Sequence, residues 1–164
     1  MPKWKHSPFA LLAAGLCLVA SSSAGQGRQR AEVDSEYRYE TTCQWIEDNA
    51  DLIQRRSGSD VVSSDGEFLI LSRSTKDHGK LVFKVQRSGA RGDYRGKMVE
   101  NLRGGLTGFS YWIKVTPLPK NRSSVTVTLS ASSEDVNGVS INVELRKSVR
   151  QLRAFLEENL TRTK

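Results

Sequence analysis

Cysteine and histidine are scarce in this chain: each occurs twice in 164 residues. Cys17 and His6 both fall in the first two dozen residues, which leaves Cys43 and His78 for the rest. Cys43 alone cannot close an intramolecular disulfide, so a hydrophobic core must hold the fold together. It lies on a predicted helix beside Trp45 and Ile46, where it reads as a small buried hydrophobe. A structural metal site needs a cluster of Cys and His ligands, and none is present, so no metal or cofactor is assigned. His78 sits in a predicted turn with no Cys or His neighbour. Serines are plentiful, yet none stands in a Gly-x-Ser-x-Gly context. Gly104-Gly105 and Gly89-x-x-Gly92 are too sparse for a phosphate loop. No residue is therefore assigned a catalytic role. Aromatics make up only 7% of the chain, and no aromatic ladder accompanies the basic residues, which argues against nucleic acid. No apolar run reaches the roughly 20 residues that span a bilayer.

A shorter apolar run is present, and it is informative. Lys3 and Lys5 open the chain, Phe9 to Ala20 is almost unbroken in apolar character, and Ser21-Ser22-Ser23-Ala24 supplies small side chains. This is the three-part pattern of a secretory signal peptide. The expected cut lies after Ala24, so residues 1–24 are read as a signal peptide and the protein as exported, to a periplasm or outside the cell. The mature chain would hold 140 residues, enough for one domain with its own core. Its formal charge would be +5 of the +7, a bias that suits anionic surfaces without specifying one.

Residues 25–35 are polar and charged without an apolar period, and read as a disordered linker. A domain is expected over 36–164. A short extended piece at Tyr37-Arg38-Tyr39 leads to a helix over Cys43–Gln54, capped by Thr41 or Thr42. From residue 61 the apolar period becomes two. Strands are predicted at Val61-Val62, Glu67–Ser74, Lys80–Arg87, Asp93–Asn101, Thr107–Thr116 and Val125–Ala131, separated by turns such as Ser64-Asp65-Gly66 and Asp77-His78-Gly79. Phe109, Tyr111, Ile113 and Val115 alternate with Ser110, Trp112 and Lys114, as an antiparallel sheet with one wet face requires. A long helix follows over Ser140–Leu160, with Leu145, Val149, Leu152, Leu156 and Leu160 at helical spacing.

The fold class is α+β: a curved antiparallel sheet gripping a long C-terminal helix, preceded by a short helix. Phe109-Ser110-Tyr111-Trp112-Ile113-Lys114-Val115-Thr116-Pro117-Leu118, then Ser124–Leu129, then Leu145–Glu157 carry a family resemblance. A strand ending at a proline, a Val/Thr strand and a helix with Leu-Arg…Leu-Glu resemble the helix-grip fold of the START-like (SRPBCC) superfamily. That superfamily includes polyketide cyclase/dehydrase and lipid-transport proteins. The resemblance covers Tyr37 to Leu160. It departs at the first strand, long and hydrophobic in the family, short and polar here over Ser35–Thr42.

The resemblance implies an apolar cavity between sheet and long helix. The candidate ligand-binding residues are Phe83, Val85, Met98, Phe109, Tyr111, Ile113, Leu145, Val149 and Leu152; the same residues serve equally as a packed core. The expected function is an exported module that binds a hydrophobic small molecule or lipid. A cyclase-type enzyme on the same fold would need polar groups inside, with Tyr111 and Thr128 as the nearest. A solid-core envelope protein with a non-catalytic interaction role is the third reading. Lys80, Lys84, Arg95 and Lys97 are expected on the outer sheet face, with Trp112 beside them, where they could meet an anionic membrane surface.

Overall fold

The computed structural model describes residues 25–76 and 79–161. The expected signal peptide, and Asp77 and His78 of a predicted turn, lie outside the described residues. The chain runs β1 (Gly25–Ser35), α1 (Tyr39–Asp48), α2 (Ala50–Arg56), β2 (Asp60–Ser64), β3 (Phe68–Thr75), β4 (Gly79–Ala90), β5 (Asp93–Arg103), β6 (Leu106–Leu118), β7 (Arg122–Ser133) and α3 (Gly138–Leu160). The seven strands form one antiparallel sheet in the order β1-β7-β6-β5-β4-β3-β2. Among the described residues, no helix is long and apolar enough to cross a membrane.

The best-defined half of the core follows directly from alternation. In the β6–β7 register Tyr111 faces Leu129, Ile113 faces Val127 and Val115 faces Val125. All six side chains are buried. Leu145, Val149, Leu152, Leu156 and Leu160 of α3 are buried too, which places the helix stripe in the same core. Each leucine so buried stabilises the fold by about 1.5–3 kcal/mol. Asn137 caps α3, its side chain accepting from the Ser140 amide at 2.9 Å. The far end of α3 is tied down by the Glu36 amide, which donates to the Leu160 carbonyl at 2.9 Å.

The chain departs from the sequence expectations at its start. Residues 25–35 are not a disordered linker. They form edge strand β1, eleven residues long and paired with β7 from Gly25↔Ser133 to Ser35↔Ser123. The physical reason lies across the fold. The positions in register with the inward side chains of β7 are Gly27, Gln29, Ala31 and Val33, mostly small or polar, because α3 packs close above them. A Cβ on Gly25 would lie 1.9 Å from the Val136 carbonyl oxygen, and one on Gly27 would lie 2.8 Å from Ile141 Cγ2. Gln29 donates instead to Asn142 of α3 at 3.0 Å. The long first strand that the polar Ser35–Thr42 stretch could not supply is therefore β1 itself.

The single helix expected over Cys43–Gln54 is two helices. Asn49 interrupts it, both its backbone amide and its side-chain amide donating to the Trp45 carbonyl, at 3.1 and 2.8 Å. The first helix begins at Tyr39, so the expected extended piece ends there, and neither Thr41 nor Thr42 caps it. Thr42 is fully buried and joins three elements. Its Oγ1 lies 2.9 Å from Ser35 Oγ and accepts from Ser123 Oγ at 2.8 Å. Thr42→Val leaves both serines short of a buried partner, and is expected to cost about 1–3 kcal/mol in denaturant unfolding. A cost under ~0.3 kcal/mol would show that the hydroxyl cluster contributes no net stability.

Candidate functional site

The sheet meets α3 unevenly. Leu152, Leu156 and Leu160 fill the C-terminal end of the contact. At the N-terminal end the sheet opens. β5 and β6 pair only over Asp93–Lys97 with Ser110–Lys114, and then separate. Beyond that point Asn101 bridges the tip, its side-chain amide donating to the carbonyls of Gly104 at 2.6 Å and Leu106 at 2.8 Å.

Beneath the first turns of α3 lies a cavity of about 330 Å³. Phe83, Phe109, Leu81, Ala131, Ile141 and Leu145 supply its apolar walls. Phe83 and Phe109 stack at 5.0 Å between centroids with their rings tilted by 52°. Val139 and Val143, one helical turn apart, border the same cavity and stay 76% and 56% exposed, an apolar lip at its mouth. Lys76 and Asp135 are exposed at the rim.

One charged side chain lies deeper. Arg73 follows Leu69 and Leu71 on the inward period of β3 and forms part of the cavity wall. Its Nη2 donates to the Ser57 carbonyl, at the end of α2, at 3.2 Å, and to Ser148 Oγ of α3. Burial lowers its pKa, and nearby Glu144 opposes that shift.

A second cavity, of about 380 Å³, lies beneath α1 and α2 and is lined by Ile46, Ile53, Leu69, Arg87, Tyr111 and Ile113. It is more polar. Tyr94 donates its hydroxyl to Glu47 Oε1 at 2.7 Å, and burial followed by that hydrogen bond raises its pKa. Burial also raises the Tyr111 pKa, against the field of Arg87. Arg87 donates from Nη2 to Ser64 Oγ at 3.1 Å, and its buried Nε has no partner among the described residues.

The nine predicted site residues thus divide. Phe83, Phe109 and Leu145 line the cavity beneath α3. Tyr111 and Ile113 line the one beneath α1 and α2. Met98 is half-buried where β5 leaves β6. Val85, Val149 and Leu152 are packed core, at 0%, 7% and 1% exposure, and border neither cavity. Ala131, Ile141 and Arg73 belong to the site and were not singled out from sequence. For Arg73 the signal was available: it continues the Leu69, Leu71 alternation, so an inward charge could have been read.

Thr128 faces away from this core, in register with Trp112 and Arg30. On the outer face Arg95 holds Asp93 through two hydrogen bonds of 2.7 and 2.9 Å and stacks over Trp112. That pairing lowers the Asp93 pKa. Lys84 lies 4.2 Å from the Phe68 ring centroid, opposite Glu100 in the ladder. Lys80 and Lys97 are exposed with no ion pair among the described residues. The same residues contain no group of three His, Cys, Asp or Glu side chains placed to hold a metal.

No family model matches this chain, and no curated protein matches its sequence. Solved structures match its shape. A START superfamily protein from Mycobacterium smegmatis superposes with a TM-score of 0.62 at 14% identity, over 81% of this chain and 96% of that one. A protein from Deinococcus radiodurans gives 0.57 at 13% identity, over 81% and 99%. The Zhui aromatase/cyclase from a Streptomyces species gives 0.53 at 7% identity, over 83% and 96%. The fold is the START-like (SRPBCC-like) helix grip, as the order of elements implies.

Proposed function

We propose that this protein is an exported carrier that holds a hydrophobic small molecule or lipid between its sheet and the first turns of α3. The observation that carries the reading is the cavity of about 330 Å³ walled by Phe83, Phe109, Leu81 and Leu145. A solid-core envelope protein would lack it. At roughly 30 Å³ per water-sized group, such a space takes about eleven non-hydrogen atoms. That fits one ring system or a medium chain, not a two-chain phospholipid. At ~0.5 kcal/mol per atom, the affinity would be about 0.1 mM, tighter where the tail also covers the valine lip.

The export half of the proposal rests on the amino-terminal pattern of Lys3, Lys5, the apolar run Phe9 to Ala20 and the small residues Ser21 to Ala24. A periplasmic or extracellular carrier would meet membranes, and exposed Lys80 and Lys97 offer contacts for anionic headgroups. A cyclase-type enzyme on the same fold is the second reading: Glu144 and Asp135 border the cavity beneath α3, and Glu47, beside the second cavity, accepts from the Tyr94 hydroxyl.

The test is uptake by the chain starting at Gly25. Organic extracts of the purified protein, read by mass spectrometry, are expected to yield a bound apolar compound, and the stripped protein to take up fluorescent fatty acids. Ala131→Trp fills the cavity from β7 and is expected to weaken uptake at least tenfold while melting stays cooperative. Empty extracts together with no uptake would sink the carrier reading.

A further inference from the structure

We propose that the ligand beneath α3 carries an anionic group, a carboxylate or a phosphate, and that Arg73 receives it. This rests on the carrier reading and adds to it the polarity of the guest. Among the described residues Arg73 is the charged side chain that shares the inward period of β3 with Leu69 and Leu71, and it lines the cavity together with Phe83 and Phe109. Taking a guanidinium out of water is costly unless it is paired. Both partners that Arg73 has, the Ser57 carbonyl and the Ser148 hydroxyl, are neutral, and both are met by Nη2. Its Nε and Nη1 make no hydrogen bond among the described residues, and no ion pair there includes Arg73.

Both paired edges of a guanidinium, Nε with Nη2 and Nη1 with Nη2, include the Nη2 that Ser57 and Ser148 already occupy, so an anion meets Arg73 through a single charge-assisted hydrogen bond from Nη1 or Nε. The two neutral contacts at Nη2 fix the plane of the guanidinium. Other charges on the wall are Lys76 and Asp135, both exposed at the rim, and Glu144. Glu144 is half-buried and lies beyond ion-pair distance, so it offsets the charge of Arg73 through space without occupying its donors. An arriving anion would displace none of the existing contacts. Its tail would extend along Phe83 and Phe109 toward the lip at Val139 and Val143.

The experiment uses the chain from Gly25 with three probes of equal tail length at pH 7.5: decanoate, decyl phosphate and decanol. The wild type is expected to bind at least one anion tenfold or more tighter than the alcohol, and the tighter of the two identifies the headgroup class. Arg73→Gln should bring anion and alcohol affinities within twofold of each other. Glu144→Gln removes the opposing charge and should raise the ratio of anion to alcohol affinity about threefold. Ser148→Ala separates structure from recognition: it removes one partner of Nη2, so it should lower the melting temperature yet keep the preference for the anion. If Arg73→Gln does not fold, the Glu144→Gln result decides. Equal binding of acid and alcohol by the wild type, or a preference that survives Arg73→Gln, overturns the assignment and leaves the carrier standing. Failure of all three probes overturns both.

Discussion

A chain that begins at Glu36, without Gly25–Ser35, is expected not to fold, whereas one that begins at Gly25 is expected to keep full stability. Strand β1 pairs with β7 over its whole length, with Val33 buried between them. On the order of ten ladder hydrogen bonds at about 1 kcal/mol net each already match the 5–15 kcal/mol that typically holds a domain together. Removing β1 also takes Ser35 from the buried hydroxyl cluster and Gln29 from its bond to Asn142. It turns β7, whose Val125, Val127 and Leu129 are buried, into an uncovered edge, which invites aggregation. The measurement is the soluble yield together with the cooperativity of thermal unfolding. A soluble chain from Glu36 that melts cooperatively within a few degrees of the longer one would show β1 to be dispensable.

That strand also shows where sequence reading stops. β6, β7 and α3 are legible because their inward positions carry bulky apolar side chains at period two or at helical spacing. The inward side of β1 is set by a helix about 110 residues later, which leaves no room for bulk at Gly25 and Gly27. Small side chains there are a mark of tight packing, yet in the linear sequence they look like the absence of a core. The same limit applies to the site. Phe83, Phe109 and Leu145 are legible as inward, and so are Val85, Val149 and Leu152. Which of them border space is decided by the packing of the first turns of α3 over β7, where Ala131 has a small side chain. Asn49 breaks the first helix through a local hydrogen bond that the apolar stripe across Trp45, Ile46, Ala50 and Ile53 conceals.

Phe83→Ala is expected to be the most damaging single substitution that the fold survives. Phe83 is fully buried, lies between Leu71 and Asn101 in the β3–β4–β5 ladder, and stacks on Phe109. Truncation removes its transfer free energy and opens a void beside one already present, a loss of about 3–5 kcal/mol. Of this, roughly 0.5–1.5 kcal/mol is the aromatic pair. Against a stability of about 5–15 kcal/mol the variant stays folded, with a lower denaturant midpoint and an unchanged m-value. The void joins the ligand space, so the variant should accept a wider tail than the wild type does. Toluene at a hundred times its dissociation constant would then restore about 2.7 kcal/mol, because it binds the folded chain and not the unfolded one. Denaturant titrations with and without toluene read both effects. A loss below ~1.5 kcal/mol would mean that the sheet collapses onto the gap. A normal loss without toluene rescue would mean that toluene enters neither the new space nor the cavity beneath α3.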